Sequence, residues 1–193
     1  MLDKKDLERI KNDIDACDKQ RDAVIKTSRE VIKLSKTVIY AVHRNDLKSA
    51  GAATKDMAAL FKKLTSYAKS PKLLSSGSYK VAVQEYVEAL CFYELTKNNK
   101  IPSNTQLKLD PEFYLMGLID LTGELVRKAI NSAIKGEYDT SVKLKDLVSD
   151  LYDELMLFDF AGGELRKKFD SVKYDLKKLD DLVLSLKLND KIR

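Results

Sequence analysis

The chain has 193 residues, of which 44% are hydrophobic and 34% charged. This mixture is typical of a soluble globular protein and excludes a disordered or membrane-spanning one. The longest apolar runs fall well short of the roughly 18 residues that a spanning helix needs, and the charged N-terminus MLDKKDLERIKND lacks the apolar segment of a signal peptide. Cys17 and Cys91 are isolated from each other in sequence. We therefore expect a reducing, cytoplasmic setting.

Helix is predicted for most of the chain, because it contains only seven glycines and three prolines. Neither residue type occurs in the first fifty positions, and both disfavour helix interiors. With no strand pattern and no long linker, residues 1–193 are predicted to form one all-α domain. The predicted helices span residues 3–46, 52–68, 78–98, 111–135, 140–158 and 163–188. Asp110-Pro111 is a predicted helix start, and the segments KSPKLLSSGS and KNNKIPSNTQ are predicted loops.

The first predicted helix concentrates positive charge. Residues 19–44 contain seven basic side chains and two acidic ones, so this segment carries the +5 charge of the whole chain. We call the following residues the basic stripe: Arg21, Lys26, Arg29, Lys33, Lys36 and Arg44. Spacings of three and four place most of them on one helix face, where they could follow a nucleic-acid backbone. A solvated, lysine-rich face is an equally good interpretation.

Two other features of this helix bear on binding. Tyr40 and His43 follow the basic stripe, where they could stack on unpaired bases. The apolar positions of the same helix are interrupted by Arg21, Ser28 and Ser35. This interruption predicts a helix with one partly polar and approachable side.

Two acid pairs occupy positions that otherwise resemble buried helix. Glu85 and Glu88 lie in VQEYVEAL, and Asp120 and Glu124 lie in LIDLTGEL. Each pair shares a helix face, and unpaired buried carboxylates would be costly or would take up protons. Carboxylates converging from two helices suit a hard cation such as Mg²⁺ or Mn²⁺. Acids at this spacing are also common on solvated faces.

Other patterns narrow the alternatives. Asp150, Asp153 and Glu154 form a rival acidic cluster that is typical of a solvated face. The last helix carries a regular apolar stripe, which predicts either a coiled-coil seam or packing within the bundle. His43 is the only histidine, so a two-histidine acid–base mechanism or a Ser/His/Asp triad is not expected. The members of the apolar stripe are Leu165, Phe169, Val172, Leu176, Leu179, Val183 and Leu186.

Several motifs together resemble the translin and translin-associated factor X family. They are KTSREVIKLSKTVIYAVHR near the start, QEYVEA, DLTGEL, and ELRKKFDSVKYDLKKLDDLV near the end. The resemblance covers nearly the whole chain and keeps the motifs in the family's order. It implies an antiparallel bundle of six to seven helices that assembles into a hollow octamer binding single-stranded RNA or DNA.

The resemblance also implies a site. In the translin-associated factor X branch the acidic motif residues form a metal-dependent endoribonuclease site, and they correspond here to Glu85, Glu88, Asp120 and Glu124. We therefore expect these four to be both metal ligands and catalytic residues, holding Mg²⁺ or Mn²⁺. Arg127, one turn beyond Glu124, is expected to contact the scissile phosphate or to pair with a ligand carboxylate.

Two further functions remain open from the sequence. The chain could be a non-catalytic scaffold for single-stranded nucleic acid, with its acids neutralised by Arg127 or lysines. It could also be a helical adaptor that binds only proteins through the 165–186 stripe. The chain combines acids like those of translin-associated factor X with a last helix like that of translin. A single gene product of this kind could form a homo-oligomer.

Overall fold

The computed structural model describes residues 3–192, and all regular structure in that range is helical. Six long helices dominate, and two single-turn helices lie in the connections between them. Among residues 3–192, no helix is both long and apolar enough to cross a membrane. The helices are α1 Lys4–His43, α2 Leu47–Tyr67, α3 Pro71–Leu74, α4 Gly77–Asn98, α5 Asn104–Leu107, α6 Pro111–Ile134, α7 Tyr138–Met156 and α8 Gly163–Leu188.

The predicted all-α architecture is confirmed, and the helix boundaries follow local chemistry. Asp110 caps α6, its side chain accepting hydrogen bonds from the backbone N–H groups of Glu112 and Phe113, and Pro111 takes the first helical position. Helix α2 begins five residues earlier than predicted because the Asp46 side chain accepts from Ser49 N–H and caps it. The small residues of its first turns therefore join the helix.

The two predicted loops each contain an extra helical turn. Ser70 caps α3 and Pro71 starts it, while Ser103 and Gln106 form a reciprocal capping box around α5. Four-residue helices are too short to show an apolar period. Ser70-Pro71 and the Ser103/Gln106 capping box were the available signals for them, and neither was recognised as a helix start.

The first helix has two unlike halves. From Val24 onward its apolar side packs against α2 and α4, whereas residues 3–22 are exposed apart from Cys17. Ser28 and Ser35 are fully buried in the packed half. The prediction that these serines mark an approachable side is therefore wrong: they are small enough to let α1 approach its neighbours closely, and Ser35 donates a hydrogen bond to the Val31 carbonyl at 3.1 Å.

Helix α8 packs against α6 and α7 of the same chain. Phe169, Val172, Leu179 and Leu186 of its apolar stripe are buried, and the remaining stripe residues are partly buried. Of the two interpretations of this stripe, packing within the bundle is the one the structure adopts. The stripe therefore does not remain free as a coiled-coil seam.

A glycine fixes the closest approach of α4 and α6. A Cβ atom on Gly117 would lie 2.6 Å from Val87 Cβ and 2.8 Å from the Gln84 carbonyl oxygen. Contacts that short are not tolerated, so only glycine permits this spacing. Since Gln84 and Val87 flank Glu85, and Asp120 follows Gly117 by one turn, the glycine sets the distance between the two helices that carry the acid pairs.

Candidate active site

The two acid pairs face each other across the α4–α6 contact. The charges of Asp120, Glu85 and Glu124 all act on Glu88, and those of Asp120 and Glu124 act on Glu85. The four side chains therefore form one electrostatic cluster, which we call the acid cluster. All four are partly buried. The sequence predicted that each pair shares a helix face, and the structure adds that the two faces meet.

Helix α4 supplies two acids, Glu85 and Glu88, that make no ion pair within residues 3–192. Burial, together with the neighbouring carboxylates of Asp120, Glu85 and Glu124, raises the pKa of Glu88 to about 8 against the opposing effect of Lys168. Burial also raises the pKa of Glu85, although here Lys36 of α1 favours the ionised form. In the absence of a bound cation, Glu88 is therefore largely protonated near neutral pH.

Helix α6 supplies acids that do have partners within the chain. Lys168 of α8 places its Nζ 2.5 Å from both carboxylate oxygens of Asp120. His43 of α1 hydrogen-bonds through Nε2 to Glu124 Oε2. Arg127 lies farther away, with a guanidinium nitrogen 3.8 Å from the same Glu124 oxygen. Thus Lys168 and His43, which come from distant parts of the chain, make the hydrogen bonds that hold the two α6 acids in place.

His43 is not available to stack on bases, so that prediction is wrong. Its side chain is only 6% exposed, because the ring packs against Phe92 with centroids 4.9 Å apart. Tyr40 is half-exposed, as predicted for a stacking residue, and the Arg127 guanidinium lies 5.8 Å from its ring centroid. Arg127 itself is 49% exposed and reaches the surface beside the acid cluster.

The basic stripe is solvent-exposed along its whole length. Arg21 pairs with Asp18 at 3.3 Å, in the half of α1 that projects from the bundle. Farther along the stripe, Lys36 is close enough to the acid cluster to lower the pKa of Glu85. The stripe therefore leads along α1 to the acids, which the sequence did not indicate.

The acid cluster matches a hard divalent cation in donor type and in charge. Its donor atoms are all carboxylate oxygens, and repulsion among the four carboxylates adds to burial in raising the pKa values of Glu88 and Glu85. Within residues 3–192, however, no three acid, histidine or cysteine side chains are already arranged to hold a metal ion. Instead, Lys168 is hydrogen-bonded to Asp120, and His43 is hydrogen-bonded to Glu124. The residues fit such an ion chemically, and binding one requires these pairings to loosen.

Sequence reasoning missed Lys168 and the contact of His43 with Glu124. Lys168 is one of many lysines on α8 and carries no distinguishing pattern. His43 was noticed, but as a base-stacking residue. Their contacts with Asp120 and Glu124 connect residues 48 and 81 positions apart, a range over which periodicity gives no signal.

Comparisons of the sequence with known proteins point to one family. The sequence model of the Translin family matches residues 19–190. The uncharacterized protein MJ0175 of Methanocaldococcus jannaschii is 31% identical over 91% of this chain and 80% of its own length. Translin-associated protein X of Pongo abelii is 25% identical over 93% of this chain and 76% of its own. The match to translin of Gallus gallus, at 35% identity, spans only 42% of this chain and 35% of that protein.

Solved structures show the same fold. A chain of apo-NeC3PO superposes with a TM-score of 0.88 and 32% identity, covering 95% of this chain and 97% of that one. A chain of the AfC3PO–duplex RNA complex gives a TM-score of 0.84 over the same shares, at 22% identity. The second likeness concerns the fold alone.

Proposed function

We propose, because this chain belongs to the translin family, that it is a metal-dependent endoribonuclease that binds and cleaves single-stranded RNA. The observation that carries the proposal is the meeting of the acid cluster with the basic stripe at Lys36. A strand held along α1 by its phosphates would be led to four carboxylates. Single-stranded DNA is a second candidate ligand for the same surface.

The proposed roles follow from position. Glu85, Glu88, Asp120 and Glu124 would hold Mg²⁺ or Mn²⁺, which when bound would neutralise charge on the scissile phosphate and position a water. Lys26, Arg29, Lys33 and Lys36 would bind flanking phosphates, with Arg21 and Arg44 at the ends of the stripe. The half-exposed Tyr40 would stack on a base, and Arg127 beside it would contact the phosphate.

The pairing partners of the α6 acids suggest how the site is kept folded without metal. Lys168 neutralises Asp120, and protonation neutralises Glu88. His43 holds the Glu124 carboxylate in one orientation through a hydrogen bond that no other histidine could supply. Lys168 and His43 would hold the α6 carboxylates in place in the metal-free protein, and a bound ion would displace them.

The proposal also covers the assembly of the chain and its location in the cell. The exposed apolar residues Leu7, Ile10 and Ile14 of α1 support a homo-oligomer, and we propose the family octamer for its size. Both cysteines are free, which supports the cytoplasmic setting. Sedimentation of the purified chain would test the assembly.

The direct test of the nuclease is cleavage of end-labelled single-stranded RNA with Mg²⁺, Mn²⁺ or EDTA. We expect metal-dependent cutting that is lost in Glu88→Ala and in Glu85→Ala/Glu88→Ala, while RNA binding and assembly are retained. Glu94→Ala is the matched control, since Glu94 is the third acid of α4 and lies outside the acid cluster. Cutting that persists in EDTA or in Glu88→Ala would refute the assigned site.

A non-catalytic RNA-binding scaffold is the second candidate function. It is favoured by the pairings of Asp120 with Lys168 and Glu124 with His43, which already compensate two of the four acids. RNA binding that is insensitive to EDTA, with no shortening of the strand in any metal, would support this alternative.

A further inference from the structure

A large cleft lies behind the acid cluster, between the ends of α4 and α6 and the start of α7. Its volume is about 610 Å³, within the range of pockets that hold small organic ligands. Leu95, Ile101, Leu144 and Leu147 give it apolar walls. None of the roles assigned above uses this cleft.

Two residues that line the cleft carry polar atoms with no hydrogen-bond partner in the described part of the chain. These residues are His43 and Thr96. The His43 Nδ1 and Thr96 Oγ1 atoms are buried and make no hydrogen bond there. Buried polar atoms are normally hydrogen-bonded, so these two are best explained by a ligand or water that completes them. The His43 Nε2 atom is hydrogen-bonded to Glu124 Oε2, so Nδ1 is the ring nitrogen left for a further hydrogen bond.

The rim of the cleft is positively charged. Lys128, Lys135 and Lys143 line it, and Glu137 is the one acidic lining residue. Lys135 and Lys143 are exposed, whereas Lys128 is partly buried with its Nζ 5.7 Å from the Phe92 ring centroid. Burial lowers the pKa of Lys128, as expected for an ammonium group that would be stabilised by an anion. The apolar walls suit a nucleobase, the polar atoms suit hydrogen bonds to the edge of that base, and the cationic rim suits an attached phosphate.

The cleft and the acid cluster share His43 as a common wall. One side of its imidazole contacts Glu124, and the residue also lines the cleft. A strand whose phosphate lies at the acid cluster would therefore have neighbouring nucleotides within reach of the cleft. We propose that the cleft binds one nucleotide of the RNA strand beside the scissile phosphate and confers base preference, an inference that rests on the proposed RNA binding.

In this arrangement Thr96 Oγ and His43 Nδ1 hydrogen-bond the edge of the base, and Lys135 and Lys143 bind its phosphates. Thr96→Val is the sharpest variant, because valine keeps the shape of threonine and removes only the hydroxyl group. Lys135→Gln/Lys143→Gln tests the rim at exposed positions where folding is not at stake. Lys177→Gln, at an exposed lysine of α8 outside the cleft, is the matched control.

The experiment measures binding of short single-stranded homopolymers of A, C, G and U in EDTA, so that cleavage plays no part. We expect the wild-type chain to prefer one base, and Thr96→Val to weaken that strand by about fivefold while changing the others less. The Lys135→Gln/Lys143→Gln variant should lower the salt dependence of binding by about two phosphate contacts for every base. Lys177→Gln should do neither. Thermal melting would show that each variant is folded.

Several outcomes would overturn the inference. Equal binding of all four homopolymers, or an unchanged preference in Thr96→Val, would remove the base-recognition role. Binding of ribonucleoside 5′-monophosphates is a further measurement. A monophosphate that binds the cleft without displacing RNA would assign the cleft to a free ligand. If base preference is absent but metal-dependent cutting is intact, the proposal for the cleft fails and the proposal for the nuclease stands. If no homopolymer binds, both proposals fail.

Discussion

The two acid pairs of this protein are compensated in opposite ways. On α6, Asp120 pairs with Lys168 and Glu124 hydrogen-bonds to His43. On α4, Glu88 makes no ion pair in the described part of the chain, and its pKa is raised to about 8. The difference teaches that the chain itself stabilises one half of the acid cluster, whereas protonation or a bound cation must stabilise the other half.

The largest expected effect is a fall in the stability of the metal-free protein as pH rises. Glu88 holds its proton more tightly when folded, because its pKa is about 8 compared with the ordinary value of 4.5. The folded state therefore binds more protons between these values. The Glu88 contribution to stability is fully present below about pH 4.5 and is lost as pH rises toward and through 8, by up to about 4 kcal/mol. Chemical denaturation in EDTA at several pH values measures this.

Glu88→Gln isolates that effect, since an amide has the same shape and no charge. The variant should show a much flatter dependence of unfolding free energy on pH than the wild type. Mn²⁺ or Mg²⁺ added to the wild type should restore stability at pH 8 if the acids bind it. Parallel pH profiles of wild type and Glu88→Gln would contradict the proposed imbalance between the pairs.

The next effect concerns the spacing between the helices that carry the two pairs. Gly117→Ala would force α4 and α6 apart, because its Cβ would lie 2.6 Å from Val87 Cβ. We expect a loss of about 2 kcal/mol in unfolding free energy together with weaker metal binding. The control is Gly123→Ala on the same helix, where nothing lies within 4 Å of the added Cβ. That variant should gain up to about 1 kcal/mol from helix propensity. Equal stabilities for the two variants would show that the close contact is not limiting.

Removing the partner of Asp120 should make the α6 pair resemble the α4 pair. Lys168→Ala leaves an unpaired, partly buried carboxylate, so the metal-free protein should lose about 1 kcal/mol. Its affinity for Mn²⁺ should increase, because the ammonium no longer competes for Asp120. Titration calorimetry measures both the metal affinity and its stoichiometry. Lys167→Ala, at the exposed neighbouring lysine, should change neither quantity; lower metal affinity in Lys168→Ala would contradict competition.

The smallest effect concerns the link between the basic stripe and the α4 pair. Lys36→Gln should reduce the salt dependence of RNA affinity by about one phosphate contact. It should also raise the pKa of Glu85, since Lys36 is the main group that lowers it. Lys62→Gln, at an exposed lysine of α2, is the control. If both variants bind RNA alike at every salt concentration, the stripe does not reach the acids.

Much of the fold was accessible from the sequence, because local rules determine it. Scarce glycine and proline predicted the six long helices, and Asp110-Pro111 marked the start of α6. Spacing also predicted that Glu85 and Glu88 share a face, as do Asp120 and Glu124. The family resemblance selected these four from the rival acids Asp150, Asp153 and Glu154.

What the sequence could not provide are the contacts between distant segments. Nothing in the pattern of α8 distinguishes Lys168 from its neighbours, and only packing shows that it meets Asp120. Ser28 and Ser35 were misread for the same reason, since their burial depends on how closely α2 and α4 approach α1. The cleft beyond His43 likewise arises where three helix ends meet.

The unlike halves of α1 have a consequence for backbone protection. Amide hydrogens in its packed half are shielded by α2 and α4, whereas those of residues 4–22 rely on a single isolated helix, which is marginal in water. Deuterium should therefore enter the first half much sooner than the second. If another copy of the chain covers Leu7, Ile10 and Ile14, deuterium should enter the first half more slowly as protein concentration rises. One exchange series would therefore report assembly through this helix.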